Sequence, residues 1–243
     1  MQTQNPSVVP MFKDLQGNSK QCKSTKTVMA DFYDLVQSAK AFDGFVDGKF
    51  QPKDNGNVFP PNGVVFHETR CGSTLFANLM ASFIPGRSRT YSESPPPPRV
   101  LGACSRGYGN DCDQDLHHEL IRDVFYMMGR RPPLTKKNES NYLFFKLQSI
   151  NAMNIDKFAM AFPEVPWVFV YRDTVEIMQS HTNKGERTEP GKVCTRNYGN
   201  SPKNQPPTTM KIIEDSGKPL TEMTRTEYCA AHLAGLSLSA VQE

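Results

Sequence analysis

Apolar positions fall in two kinds of block along this chain. The first kind is a short continuous run bounded by turn-forming residues. Val64-Val65-Phe66, "YLFFKL" (142–147) and "WVFVY" (167–171) have this form, which is the pattern of strands buried on both faces. The second kind repeats at helical spacing. It appears in residues 27–42 (Val28, Phe32, Leu35, Val36), from about 73 to 83, and at 116, 120, 121, 124, 125 and 128. "NIDKFAMAF", "DTVEIMQSH" and the final "TRTEYCAAHLAGLSLSAV" continue it, the last with Thr226 in position to cap the helix. Asp31 and Asp34 sit early in the first helix, where the helix dipole favours negative charge. A further short strand near 89–92 runs into Pro95–Pro98, which reads as a polyproline turn.

The order strand–helix, repeated four times, predicts an α/β domain: a parallel β-sheet flanked by helices on both faces. Residues 1–60 read as a polar lead-in with one helix, and 61–243 as the α/β domain. Residues 182–207, rich in Gly, Pro, Asn and Lys, read as a surface loop. In such sheets ligands gather at the carboxyl ends of the strands. The segment 70–75, Glu93, Lys146 and Arg172 all fall there.

Composition narrows the picture modestly. With 243 residues and 37% hydrophobic content, the chain suits one large domain with long polar loops. A net charge of +3 is too small to point to nucleic acid, but it suits a small anionic ligand. The first residues lack the apolar core of a signal peptide, and no run approaches 18 apolar residues. The expectation is therefore no membrane span and a cytoplasmic location, with a Golgi lumen as the alternative if an anchor is missing. The six cysteines (22, 71, 104, 112, 194, 229) form no C-x-x-C pair, so the spacing gives no zinc site. Cys104 and Cys112 could bridge a loop in an oxidising compartment, and free cytosolic thiols are the other reading. Asn138-Glu139-Ser140 is a glycosylation sequon that matters only in a secreted chain. His117 and His118 lie on a helix and read as surface or partly buried histidines.

The chemistry-bearing stretch is "GVVFHETRCGSTLFANLM" (63–80). A strand that feeds a helix through a short loop aims backbone N–H groups and the helix dipole at one point. Gly72 lets the backbone approach an anion closely. Ser73 and Thr74 add hydroxyl donors, and Arg70 adds a charged planar fork. The ATP signature G-x-x-x-x-G-K-[ST] is missing. A second stretch, "YRDTVEIMQS" (171–180), sets Arg172 at a strand end and Ser180 eight residues later, able to converge on a second anion.

Together, "RCGSTL" and "YRDTVEIMQS" resemble the 5′-phosphosulfate loop and the 3′-phosphate motif of the PAPS-dependent sulfotransferases. "FFKLQSINAMNIDKFAMAFPEVPWVFVYRD" between them resembles that family's third strand, helix and fourth strand. The likeness covers 63–181, about half the chain. It implies a P-loop-NTPase-like sulfotransferase fold and PAPS as sulfuryl donor, with no metal required. The acceptor it implies is a small-molecule, carbohydrate or peptide hydroxyl, or an amine. By the resemblance Arg70 touches the transferring sulfonate. Cys71, Gly72, Ser73, Thr74 and Leu75 wrap the 5′-phosphate. Arg172 and Ser180 bind the 3′-phosphate. Lys146 stabilises the transition state and Glu93 is the general base, with His67 as the rival base. Cys71 is expected to have a depressed pKa beside the anion site. The family continues into another strand and a Gly-containing loop over the 3′-phosphate and adenine. Nothing in 182–243 matches these, "MKIIED" (210–215) being the one short apolar piece, so the domain is expected to lack them and to leave a sheet edge open. A kinase-like nucleotide-binding protein and a non-catalytic relic of the fold are the competing readings.

Overall fold

A computed structural model describes residues 29–46, 49–50, 58–83, 87–104, 111–130, 142–182 and 190–242. The first 28 residues, the sequon and the start of the first expected helix lie outside them. Helix α1 (Phe32–Asp43) is capped by Asp31, whose side chain accepts the Asp34 N–H. A two-residue antiparallel hairpin follows, β1 (Phe45–Val46) with β2 (Lys49–Phe50).

Four parallel strands make the main sheet: β3 (Gly63–His67), β4 (Ser88–Ser92), β5 (Tyr142–Lys146) and β6 (Trp167–Val170), in the order β4-β5-β3-β6. Helix α2 (Ser73–Phe83) follows β3, and α3 (Pro96–Leu101) and α4 (Gln114–Gly129) follow β4. A 3-10 turn (Ser149–Asn154) and α5 (Ile155–Ala161) follow β5, and α6 (Thr174–Thr182) follows β6. The chain then adds α7 (Pro207–Asp215) and α8 (Arg225–Val241), which pack on each other.

The period-two alternation of a strand sorts the sheet's side chains. Val64, Phe66, Leu143 and Phe145 meet Ile121 and Phe125 of α4 and Ile155 and Phe158 of α5 in one core. Phe125 lies 4.7 Å from Phe145, and Phe66 lies 5.7 Å from Phe158, ring centre to ring centre. Val65 and Lys146, paired in register, point to the other face. Helix α2 crosses β3, β4 and β5, and its buried Ala77 stands outside that core. Gly129 ends α4 where a Cβ would come within 2.2 Å of the Phe59 carbonyl oxygen, so only glycine allows this close approach.

Several sequence expectations need correction. The Pro-rich stretch starts α3 instead of forming a polyproline turn, because proline lacks only an N–H that a first helical turn leaves unpaired. "WVFVY" is an edge strand, with Val168 44% exposed, and not a doubly buried one. "MKIIED" lies in α7, not in a strand. The last helix is capped by Thr224, not Thr226; Thr224 and Glu227 form a reciprocal capping box. The described part of the expected surface loop, 190–206, is a run of largely exposed turns with a 3-10 turn at Pro202–Asn204. Cys194 is buried there and bridged to Cys229 of α8, 35 residues on, with Cα atoms 5.0 Å apart. Cys104 is bridged to Cys112. Of the described cysteines only Cys71 is free. His117 and His118 are both buried, not surface residues. No helix among the described residues is long and apolar enough to cross a membrane.

Candidate anion-binding site

The carboxyl ends of β3, β4, β5 and β6 open into one cavity of about 1330 Å³. The loop after β3 forms its floor. Gly72 takes a φ of 89°, and its carbonyl accepts the Leu75 N–H (2.9 Å) and the Phe76 N–H (3.3 Å), which starts α2. Gly72, Ser73 and Thr74 line the cavity. Leu75 does not: its N–H is used in the turn and its side chain is 66% exposed. Cys71 does not either; its thiol donates to the Glu68 carbonyl at 3.0 Å and packs against the Cys194–Cys229 cluster. Burial pushes the Cys71 thiol pKa up, against the depressed value expected, because desolvation outweighs the hydrogen bonds from Ser73.

Arg70 and Glu93 both line the cavity, and both carry left-handed backbone, with φ of 60° and 54°. Among the described residues no other non-glycine does so. Such strain costs about 1–2 kcal/mol per residue and persists only where surrounding contacts over-determine it. At Glu93 those contacts are visible. Its N–H donates to the Lys146 carbonyl (2.7 Å), its carbonyl accepts from Gln148 Nε2 (3.2 Å), and its carboxylate takes the Lys146 ammonium. Lys146 is only 1% exposed, so its charge rests on that carboxylate.

His67, at the end of β3, stands 4.0 Å from Glu93. Its Nδ1 lies 2.6 Å from the Glu68 carbonyl oxygen and its Nε2 lies 2.7 Å from that of Leu147. Two carbonyls favour a doubly protonated ring, but burial and the Lys146 charge push its pKa down to about 4. Desolvation is the larger effect, so at neutral pH the ring carries one N–H and donates to one of the two.

The second expected anion motif sits across the cavity. Arg172 and Ser180 line it, and Arg70 reaches the Ser180 carbonyl through Nη2 at 3.5 Å. Arg172 pairs with Glu176 through Nε, an exposed contact. Its backbone N–H donates to Glu68 Oε2 at 3.4 Å, while Ser237 of α8 donates to Glu68 Oε1. Glu68 therefore ties the β3 loop to the end of β6 and to the last helix. Thr69 of the same loop shares a 2.5 Å hydrogen bond with His181 of α6. Burial, with the Arg70 charge, keeps the His181 pKa below its ordinary value.

The structure thus brings Arg70, Gly72, Ser73, Thr74, Glu93, Lys146, Arg172 and Ser180 around one cavity and leaves Cys71 and Leu75 outside its wall. It adds three cations that the sequence reading missed: Lys192, Arg196 and Arg225. Arg225 stacks on Tyr198, 5.1 Å from the ring centre. Six basic side chains (Arg70, Lys146, Arg172, Lys192, Arg196, Arg225) thus face one carboxylate, Glu93, among the lining residues. A concave site with that excess concentrates anions. The bridge to Cys229 helps carry Lys192 and Arg196 to this wall, and no local pattern announces it.

No family model, curated protein or solved structure matches the chain.

Proposed function

We propose that the cavity binds a nucleotide with two separated anionic groups and that the protein is a PAPS-dependent sulfotransferase. The observation that carries this reading is the convergence of the 72–74 loop and Arg70, the Lys146–Glu93 pair, and Arg172 with Ser180 on one basic cavity. Two anion-binding elements, set 102 positions apart and linked by the Arg70–Ser180 contact, suit a 5′-phosphosulfate and a 3′-phosphate.

Sulfuryl transfer resembles phosphoryl transfer, where positioning and positive charge supply most of the catalysis. The donor supplies the sulfuryl group, with PAP as leaving group. The loop N–H groups and α2 dipole would hold the 5′-phosphate. Arg70 and Lys146 would face the charge that develops on the sulfonate and bridging oxygen. Glu93, the more accessible partner of the ion pair, would take the proton of the acceptor hydroxyl or amine. His67 is the weaker choice of base, since backbone carbonyl oxygens crowd both its nitrogens within 2.7 Å and it is almost fully buried.

Cys104–Cys112 and Cys194–Cys229 are bonds that cytosolic thiols keep reduced. We therefore infer an oxidising compartment in place of the cytoplasm suggested by the unremarkable N-terminal sequence.

The test is transfer of radiolabelled sulfate from PAPS to a panel of carbohydrate, peptide and small-molecule hydroxyls. Labelled product that disappears with Glu93→Gln is the expected result. Absence of label on every acceptor, with PAP nonetheless bound, would favour a binding module without catalysis.

A further inference from the structure

Residues 192–197 form one side of the cavity: Lys192, Val193, Cys194, Thr195, Arg196 and Asn197 all line it. Lys192 and Arg196 are exposed to solvent there, while Cys194 and Thr195 are buried behind them. Among the described residues, the hydrogen bonds of 191–196 stay within 191–198. Thr195 Oγ1 donates to the Gly191 carbonyl, and the Tyr198 N–H returns to the Thr195 carbonyl. Anchors to the rest of the fold begin at Asn197, whose carbonyl accepts from Gln205 Nε2; Gln205 in turn accepts from Tyr228 of α8, and Tyr198 donates to the Met223 carbonyl. Upstream of Asn197, the tie to α8 among the described residues is the Cys194–Cys229 bridge. That bridge packs in a cluster with Ile177 of α6, Leu233 and Leu236 of α8, and Cys71 of the phosphate loop.

We propose that the Cys194–Cys229 disulfide positions Lys192 and Arg196 as a third anion-binding wall, so that the cavity's affinity for anions depends on the redox state of this one bond. The inference rests on the cavity being an anion site, as under Proposed function, but not on which anion it takes. In the reduced state a dithiol reductant gives two electrons to the bridge. The S–S bond breaks, each cysteine sulfur takes a proton, and the reductant leaves as its own disulfide. In the chain-entropy account, a bridge closing a 35-residue loop removes much of the freedom of the unbridged segment. Without it, Lys192 has no tie to α8 among the described residues, and Arg196 is held only through its neighbour Asn197, which stays docked with Tyr198 and Gln205.

The experiment uses the full chain carrying Cys104→Ser and Cys112→Ser, so that only one bridge can respond. Calorimetry measures the binding of inorganic pyrophosphate and of PAP to the oxidised protein, to the protein reduced by a dithiol, and to Cys194→Ser. A Lys192→Ala/Arg196→Ala variant is measured in both redox states. Far-UV circular dichroism checks that each form is folded. Reduction is expected to weaken anion binding at least about tenfold, the loss of one or two charge-assisted contacts. The double alanine variant should lose as much while oxidised and be insensitive to reduction. Equal affinity in the two redox states would overturn the inference, as would a full redox response in the variant that lacks both cations. Redox-sensitive pyrophosphate binding without preference for PAP would leave this inference standing and sink the sulfotransferase reading. Absence of anion binding in the oxidised protein would sink both.

Discussion

Lys146 and Glu93 form an ion pair across the ends of two adjacent parallel strands, with the lysine buried and the carboxylate open to the cavity. The asymmetry in burial gives an asymmetric response to mutation. Glu93→Ala strands an ammonium 1% exposed to water, which costs about 3–5 kcal/mol. Lys146→Met leaves a partly hydrated carboxylate and should cost less, about 1–2 kcal/mol. Urea unfolding of the two variants checks this, and equal losses would show that the lysine does not depend on Glu93.

His67 and His232 are both pushed down to about 4, chiefly by burial. The unfolded chain, with ordinary histidine pKa near 6.5, then binds more protons than the folded chain between pH 6.5 and 4. Stability is full above pH 6.5 and falls as the pH drops through that window. From pH 7 to pH 5 the loss should be roughly 1–2 kcal/mol per histidine. Denaturant titrations at the two pH values measure it. A profile that His67→Asn does not flatten would mean the ring is charged in the folded protein and donates to both carbonyls.

Gly72 and Gly129 should fail in different ways on substitution by alanine. At Gly72 a Cβ meets nothing within 4 Å, so only the φ of 89° is penalised, at about 1–2 kcal/mol. Because the loop lines the cavity, pyrophosphate binding should weaken as well. At Gly129 the Phe59 carbonyl stands 2.2 Å from the new Cβ and belongs to backbone that cannot swing away. That variant should be the less stable of the two, with anion affinity retained once folded. Thermal unfolding and calorimetry together separate the cases; a Gly129→Ala protein as stable as wild type would contradict the close approach.

Arg172 pairs with Glu176 where both side chains are about half exposed, so the pair adds little to stability. Arg172→Ala should move the unfolding midpoint by no more than about 0.5 kcal/mol in free-energy terms. Its effect on PAP affinity should be about tenfold or more. A large stability change with unchanged PAP binding would reassign Arg172 to a structural role.

Much of this architecture was legible because its signals are local. The buried runs at 64–66 and 142–147 and the helical face at 116–128 report the core directly, and Gly72 with Ser73 marks the start of α2 within the stretch expected. The errors arise where tertiary context decides. Trp167–Val170 is as apolar as a central strand, yet it lies at the sheet edge because no further described strand pairs with it. Pro96–Leu101 is helical because prolines fit a first turn as readily as an extended segment. The eight expected residues that line the cavity could be read because strand ends in a parallel sheet converge by topology. Lys192, Arg196 and Arg225 could not, since Lys192 and Arg196 arrive with a bridge whose partner is 35 residues away and Arg225 opens a helix whose docking no short motif encodes.

The most direct measurement is calorimetric: PAP and ADP titrated separately into the oxidised protein, then into Arg172→Ala. A 3′-phosphate site made by Arg172 and Ser180 should bind PAP at least about tenfold more tightly than ADP, and Arg172→Ala should remove most of that difference. Equal affinity for the two nucleotides, or a PAP preference that survives the substitution, would contradict the assignment of this cavity to a 3′-phosphorylated donor.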